Sequence, residues 1–281
     1  MSPVTARARR VRLDQLLVDR GLAPSRSRAQ AFLLAGRVRV GAGDQGRLDR
    51  KPGELVDEGI PILIAEPDPY VSRGGHKLAA ALDAFGIDPA GLVCLDVGAS
   101  TGGFTDVLLQ RRAARVYALD VGRGQLAEQL RADPRVVSLE RTNARGLTPG
   151  TLPEPVRLAV IDVSFISLER VLAPVASTFD QATGGTIVPL VKPQFEVGKG
   201  ATERGVVRDP VAHRAVLERV SAVAAASGLS LVGVVASPIL GPQGNREFLL
   251  DLAVPAGWSA AATTRGTIPT DWAARIAEVT R

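Results

Sequence analysis

The residues best placed to do chemistry in this 281-residue chain stand where its apolar runs end. The run 92–97 leads through Asp96-Val97-Gly98-Ala99-Ser100-Thr101-Gly102-Gly103-Phe104, a turn whose glycines let backbone approach a ligand closely. It is no phosphate loop, because no Gly-Lys-Ser/Thr follows. It is also a poor dinucleotide fingerprint, because the second fingerprint glycine falls on Ser100. The run 116–119 delivers Asp120, Val121 and Gly122, and a carboxylate at that strand tip can accept both hydroxyls of a ribose. Alone, either feature reads equally well as a tight turn or a helix cap. Together they favour a nucleoside-bearing cofactor, and a loop with room for a methionine rather than a pyrophosphate points to S-adenosylmethionine. Asn143, after the run 136–139, offers its amide to an adenine edge.

Four further side chains gather by topology. The run 158–161 ends on Asp162, and 186–191 ends on Lys192, where Pro193 forces the strand to finish. Ligands of open α/β sheets bind outside the carboxyl ends of the strands, so both groups emerge beside the glycine turn. If the last run, 248–254, is antiparallel, its start brings Glu247 to the same edge. A helix predicted over 77–85 must run away from that edge to feed the first strand, so Lys77 at its start faces the site as well. Lysine usage sharpens the selection: among 34 basic residues only Lys51, Lys77, Lys192 and Lys199 are lysines. Where charge alone suffices this chain uses arginine, so two lysines at the site edge signal a need for a compact, titratable ammonium. Lys51 and Lys199 read as chance retention.

The elements that must position these groups follow from periodicity. Apolar runs at 92–97, 116–119, 136–139, 158–161, 186–191, 229–235 and 248–254 are separated in places by helical stretches at 104–112, 125–131 and 212–226. That alternation predicts an α/β fold with a doubly wound, mostly parallel sheet. Residues 221–245 carry no charge and are long enough to span a bilayer, yet Ser221, Gly228, Ser230, Gly233 and Pro238 mark a helix end and a buried strand instead. A single cysteine, Cys94, excludes a disulfide framework, and two histidines, His76 and His213, leave little for a structural zinc.

The chain ahead of this pattern differs in charge. Its first 51 residues carry a net charge of +8 and the remaining 230 carry −3, the asymmetry of a nucleic-acid grip. Residues 1–64 predict a small α+β unit. Leu13, Leu16, Leu17 and Val18 lie at helical spacing before Gly21, Ser25 or Ser27 caps a helix over 26–35, and strands follow at 37–40 and around Ile60, Ile62 and Ile64. No carboxylate interrupts residues 20–39, so Arg26, Arg28, Arg37 and Arg39 are the predicted RNA or DNA contacts. Residues 65–70, with two prolines, read as a linker to a second domain at 71–281. The basic stretch 1–12 lacks the apolar segment of a targeting signal, which leaves the cytoplasm as the expected location.

In this order and spacing, these residues resemble the TlyA family of 2′-O-ribose RNA methyltransferases, also called haemolysin-like. Residues 13–41 resemble the small RNA-binding domain shared with a ribosomal small-subunit protein and many pseudouridine synthases. Residues 71–78, 96–104, 141–147, 191–200 and 241–247 resemble the family's catalytic motifs. The resemblance implies a Rossmann-like, S-adenosylmethionine-dependent methyltransferase of the FtsJ type, with a Lys-Asp-Lys-Glu tetrad at Lys77, Asp162, Lys192 and Glu247. It also implies cytidine riboses of ribosomal RNA, within ribosomal subunits, as substrate. No metal is expected, because the leaving group departs without a developing anion. The reading of residues 221–245 as helix end and strand does not support a membrane partner despite the haemolysin-like label. One departure is Pro69-Tyr70, where relatives often have a tryptophan. A ribose 2′-OH is a poor nucleophile, so the work of such an enzyme is alignment and lowering the hydroxyl's proton affinity. Lys192 takes the proton if neutral, or steers the hydroxyl lone pair if charged. Two other readings stand beside this one. A Rossmann-type oxidoreductase suits the glycine turn and Asp120 but lacks a hydride-site partner. A non-catalytic RNA-binding or membrane-lytic protein has no use for an intact tetrad.

Overall fold

A computed structural model describes residues 9–34, 36–42, 47, 50–65, 68–197, 205–260 and 266–281. The chain divides into two compact units, 1–69 and 70–281. Lys199 and the end of the motif 191–200 lie outside the described residues, as do positions 1–8 of the basic N-terminus and Glu66 and Pro67 of the proline-bearing segment. Tyr70, at the end of that segment, packs edge-on against His76 and belongs to the second unit.

The first unit runs β1 (Arg10–Arg12), α1 (Leu13–Asp19), α2 (Arg26–Leu34), β2 (Val38–Val40), β3 (Leu55–Asp57) and β4 (Ile62–Ile64). β1 pairs with β3 and β2 with β4, both antiparallel. Ser25 is the cap of α2, its hydroxyl accepting from the Arg28 N–H at 3.3 Å. Ala35, the expected last residue of that helix, lies outside the described residues. Leu13, Leu16, Leu17, Ala29, Leu33, Val38, Val40 and Val56 form the core. β1 and β3 each turn a single apolar residue inward, Val11 and Val56, whereas β2 and β4 alternate two, which is why periodicity found β2 and β4 and not these strands.

The second unit runs α3 (Gly74–Phe85), β5 (Val93–Val97), α4 (Gly103–Gln110), β6 (Arg115–Leu119), α5 (Glu128–Arg131), β7 (Val136–Leu139), β8 (Leu158–Ile161), α6 (Leu172–Ala176), β9 (Gly185–Val191), α7 (Pro193–Glu196), α8 (Pro210–Ala226), β10 (Ser230–Ala236), β11 (Phe248–Val254) and α9 (Trp272–Val279). The strand order is β10-β11-β9-β8-β5-β6-β7. β9, β8, β5, β6 and β7 are mutually parallel, and β11 runs antiparallel to both of its neighbours. Alternate strand residues serve opposite faces. Leu95, Tyr117, Ala159 and Leu250 meet Leu172, Leu217, Trp272 and Ile276, while Cys94, Val116, Val160 and Leu249 meet Leu78, Leu82, Leu108 and Leu130. The sheet is therefore covered on both sides, which fixes its strand ends firmly enough to carry a site.

Helix ends depart from the periodic forecast for local reasons. α3 starts at Gly74 rather than Lys77, because tertiary packing overrides the poor propensity of Gly74 and Gly75. α8 starts at Pro210, where Asp209 accepts from the Val211 N–H at 2.9 Å. α5 is four residues instead of seven, the chain before it forming irregular turns through Gly124. The uncharged stretch 221–245 is the end of α8 followed by β10, and no helix of the described residues is long and apolar enough to cross a membrane.

Candidate active site

Strand register brings the lysines and carboxylates together. Phe248 on β11 pairs with Val191 on β9, so the next residues outward, Glu247 and Lys192, occupy adjacent strand ends. β8 lies on the other side of β9, and Asp162 just past its end donates its N–H to Val97 O of β5 at 2.8 Å. Lys77 stands in the first turn of α3, at the same edge. The four groups form two pairs: Lys192 Nζ lies 2.5 Å from Asp162 Oδ1, and Lys77 Nζ donates to Glu247 Oε2 at 2.5 Å. Lys192 also donates to Ser164 Oγ at 2.9 Å.

The pairs differ in access. Side-chain exposure is 8% and 0% for Lys77 and Glu247, but 11% and 24% for Lys192 and Asp162. The closed pair is hemmed in by Gly241, where a Cβ would fall 2.1 Å from Glu247 Oε1, so only glycine fits. Buried Asn245 anchors the same loop, accepting from Val207 N and donating to Gly205 O, both at 3.0 Å.

Beside the open pair lies a cavity of about 760 Å³, lined by Gly98, Ser100, Asp120, Val121, Asn143 and Asp162 among others. Gly98 has φ +84°, and a Cβ there would stand 2.5 Å from Asp162 O, so this glycine lets two strand ends close on each other. Ser100, in place of the fingerprint glycine, itself adopts φ +48°. Its N–H is held by Asp120 Oδ2 at 2.8 Å, and Asp120 Oδ1 accepts from Gly122 N at 2.7 Å. Each carboxylate oxygen has two lone-pair sites, so both retain one for a ligand diol. Asn143, which lines the cavity, accepts through Oδ1 from Arg145 N at 3.1 Å and Nε at 3.3 Å. The volume falls within the usual range for a small-molecule site, and the donors suit a nucleoside with an apolar contact at Val121.

Asp96, Ala99, Thr101, Gly102, Gly103 and Phe104 do not line that cavity. Asp96 is fully buried below the turn, where its Oδ2 accepts from Thr105 Oγ1 at 2.7 Å. Burial pushes its carboxyl up to about 7; the Thr105 hydrogen bond opposes this and the nearby charge of Asp162 adds to it. Thr101 O accepts from Ala127 N at 3.1 Å, and Phe104 is part of the core under α3 and α4. These residues shape the turn from behind.

Two aromatic residues went unnoticed in the sequence because neither carries a charge. Phe165, 90% exposed, has φ +64° and lies 4.9 Å from the Phe195 ring, tilted by 49°. Ser164 was missed too, although it sits only two positions past Asp162. Among the described residues, no group of three His, Cys, Asp or Glu side chains could hold a metal ion.

In the first unit the predicted arginines rest on different partners. Arg26 Nε donates to Asp14 Oδ2 at 2.9 Å, alongside Arg12 and Gln30. Arg28 and Arg37 lie over the Phe32 ring at 5.1 and 4.5 Å. Arg39 stands on β2, half-buried. Asp14 is fully buried, and chiefly its hydrogen bond from Arg12 holds its carboxyl well below the ordinary range.

The model of the FtsJ-like methyltransferase family matches residues 70–267, and that of the S4 domain matches residues 11–42. The 16S/23S rRNA (cytidine-2′-O)-methyltransferase TlyA of Mycobacterium tuberculosis is 51% identical over 86% of this chain and 90% of its own length. The chain belongs to the TlyA group of FtsJ-like methyltransferases. YqxC of Bacillus subtilis is 46% identical, covering 88% of this chain and 87% of that protein. A solved structure of a hemolysin-named protein from Streptococcus thermophilus is 40% identical, with a TM-score of 0.71 over 97% of this chain and 96% of that one. The FtsJ-like match spans all four tetrad positions and the cavity wall, and the S4 match contains Asp14, Arg26, Arg28, Phe32, Arg37 and Arg39.

Proposed function

We propose that this chain transfers a methyl group from S-adenosylmethionine to a ribose 2′-OH of ribosomal RNA, at a cytidine. The observation that carries this is Asp162, which lines one cavity together with Asp120 and holds the Lys192 side chain against it at 2.5 Å. S-adenosylmethionine supplies a methyl on a sulfonium, already activated toward a nucleophile. Asp120 holds the cofactor ribose, Gly98 and Ser100 give its tail a close backbone wall, and Val121 and Asn143 meet its base. Asp96, Ala99, Thr101, Gly102, Gly103 and Phe104 serve by holding the turn in shape.

Lys192 is the group at the substrate hydroxyl. Its Nζ donates to Ser164 and lies in an ion pair with Asp162, two contacts that hold it at the end of its strand. With Nζ as the neutral amine, its lone pair takes the hydroxyl proton while the methyl leaves sulfur for the ribose oxygen, and the Asp162 carboxylate is counter-charge to the ammonium formed. With Nζ charged, it steers the hydroxyl lone pair and the proton leaves to solvent. Lys77 and Glu247 brace the next strand end from inside. Phe165, exposed beside this pair and held in a left-handed conformation, gives the substrate base a face on which to stack.

Residues 1–64 act as the RNA grip through Arg26, Arg28, Arg37 and Arg39, residues 65–70 connect, and residues 71–281 perform the chemistry. Ribosomal subunits in the cytoplasm are the partner, with no part for a metal or a membrane. The name of the Mycobacterium tuberculosis relative supports the cytidine ribose as target. The test is transfer of labelled methyl from S-adenosylmethionine to ribosomal subunits, mapped by resistance of the product to alkaline cleavage, which requires a free 2′-OH. Absence of label, or label that leaves alkaline cleavage intact, would sink the proposal.

A further inference from the structure

Two chain segments frame Lys192, and they are fastened at both ends. One is 162–168, carrying Asp162, Ser164 and Phe165; the other is Lys192 followed by the four-residue α7. Near the cavity the fastening is Lys192 to Asp162 and Ser164. In the middle the Phe165 and Phe195 rings meet. At the far end stands Glu196, whose side chain is only 2% exposed. Its Oε1 accepts from Leu168 N at 2.8 Å, and its Oε2 accepts from Ser167 Oγ at 2.8 Å and from Arg219 of α8 at 2.7 Å. Arg219 also donates to the Glu196 main-chain oxygen.

A buried carboxylate is costly unless its lone pairs and its charge are answered. Here a backbone N–H, a hydroxyl and a guanidinium answer them, two from the facing segment and one from a long helix. Pro193 opens α7, so Lys192 and Glu196 are held one helical turn apart with little freedom between them. Opposite, Phe165 keeps a backbone conformation that L residues avoid, and such strain persists only where the surroundings over-determine it. The lysine contacts on one side of Phe165 and the Glu196 contacts on the other provide that constraint.

We propose that Glu196, held by Arg219, is a positioning residue for the methyl-transfer site, fixing Ser164 and Phe165 against Lys192. This rests on the methyl-transfer function proposed above. A clamp that merely joined α7 to α8 would affect melting temperature and leave the chemical step alone. A positioning clamp acts on the rate at saturating RNA.

The experiment uses full-length Glu196→Gln, Arg219→Lys and Ser167→Ala proteins. Single-turnover methylation of ribosomal subunits is measured against RNA concentration, S-adenosylmethionine affinity by calorimetry, and exchange of the Leu168 amide by mass spectrometry. In Glu196→Gln the saturating rate falls by about tenfold or more, with KM and cofactor affinity within about threefold of wild type. Leu168 exchanges faster, and Arg219→Lys, which keeps the charge, retains more activity than Glu196→Gln. Faster Leu168 exchange with an unchanged rate would overturn the proposal, as would parallel losses of rate and cofactor affinity. If Glu196→Gln does not fold, the double variant Arg219→Lys, Ser167→Ala removes two of the clamp's contacts and is judged by the same outcomes. An inactive wild type would remove the methyl-transfer function itself, whereas an active wild type with an equally active variant would remove only the role of Glu196.

Discussion

The two units hold their cations in opposite ways. In the first, guanidinium groups rest on a fixed partner while remaining open to solvent: Arg12 and Arg26 are 47% and 50% exposed although both bind buried Asp14, and Arg28 and Arg37 lie over Phe32. In the second, the two lysines at the strand ends are about nine-tenths buried, each against one carboxylate. A guanidinium has five donors, so two can anchor it while the others wait for a phosphate. An ammonium at a strand end is a point charge whose position, within a few tenths of an ångström, decides what it can do to a neighbouring hydroxyl. In the proposed function, the same formal charge is thus arranged for contact in one unit and for chemistry in the other.

Swapping the two kinds of cation tests this contrast most severely. Lys192→Arg keeps the charge but replaces a compact, titratable group with a planar one that stays protonated. Turnover falls by about 10²-fold or more, the lower range for losing a general base. RNA affinity stays near wild type, since in the proposed function the grip belongs to the other unit. Lys51→Arg, at an exposed position of the first unit, is close to silent. Single-turnover methylation on saturating subunits measures both, and near-normal activity in Lys192→Arg would show that charge alone suffices at the site.

A second substitution separates cofactor from chemistry within the site. Asp120→Ala removes the carboxylate that holds Ser100 N and Gly122 N and, in the proposed function, the cofactor ribose. Affinity for S-adenosylmethionine weakens by about 1–3 kcal/mol, the usual cost of losing a charged hydrogen-bond partner. Calorimetry reads this directly. Unchanged affinity would take Asp120 out of the cofactor site.

The contrast also explains what the sequence disclosed. Strand ends are sharp features: Pro193 stops β9 just after Lys192, and Asp120 and Asp162 close runs of apolar residues, so the sheet edge and its charged groups were legible from spacing. Placing Glu247 there required β11 to be antiparallel, a condition the sequence could only state. The pairing of the tetrad into one closed and one open pair depends on Gly241 and on side-chain reach, which no period encodes. Asp96 misled, because a carboxylate at a strand end looks alike whether it faces the cavity or, as here, turns under the loop to Thr105. Asp14 and Phe32 showed no such role in the sequence, because each lies on a helix whose spacing reports burial and not which side chains rest on it: Arg12, Arg26 and Gln30 on Asp14, Arg28 and Arg37 on Phe32.

Asp14 supplies a pH test of the first unit. Its carboxyl is held below the ordinary range, so it contributes stability above its unfolded value, about 3.9, and loses it as the pH falls through the lower folded value. Wild type is therefore more stable than Asp14→Asn at neutral pH, and the gap closes on acidification below about pH 4. Calorimetric melts from pH 7 to pH 3 follow the gap. A gap constant with pH would mean that Asp14 acts through packing and not through charge.

The smallest effect expected is also the finest test of how the first unit holds its cations. Phe32→Leu keeps the apolar contact and every charge but removes the ring beneath Arg28 and Arg37. An exposed cation–π contact is worth about 0.5–1 kcal/mol, so the preorganisation lost with two of them weakens RNA binding by at most about five- to thirtyfold. The slope of affinity against salt stays nearly the same, because the arginines still reach phosphates once bound. Arg28→Ala instead lowers that slope by about one, because one phosphate contact is gone. Salt titrations of RNA binding for both variants separate the two outcomes. If Phe32→Leu lowered the slope as Arg28→Ala does, the ring would be placing the guanidinium on its phosphate and not simply restricting its motion beforehand. If Phe32→Leu bound like wild type at every salt concentration, the arginines would need no platform, and the contrast with the tightly held lysines of the second unit would lie in burial alone.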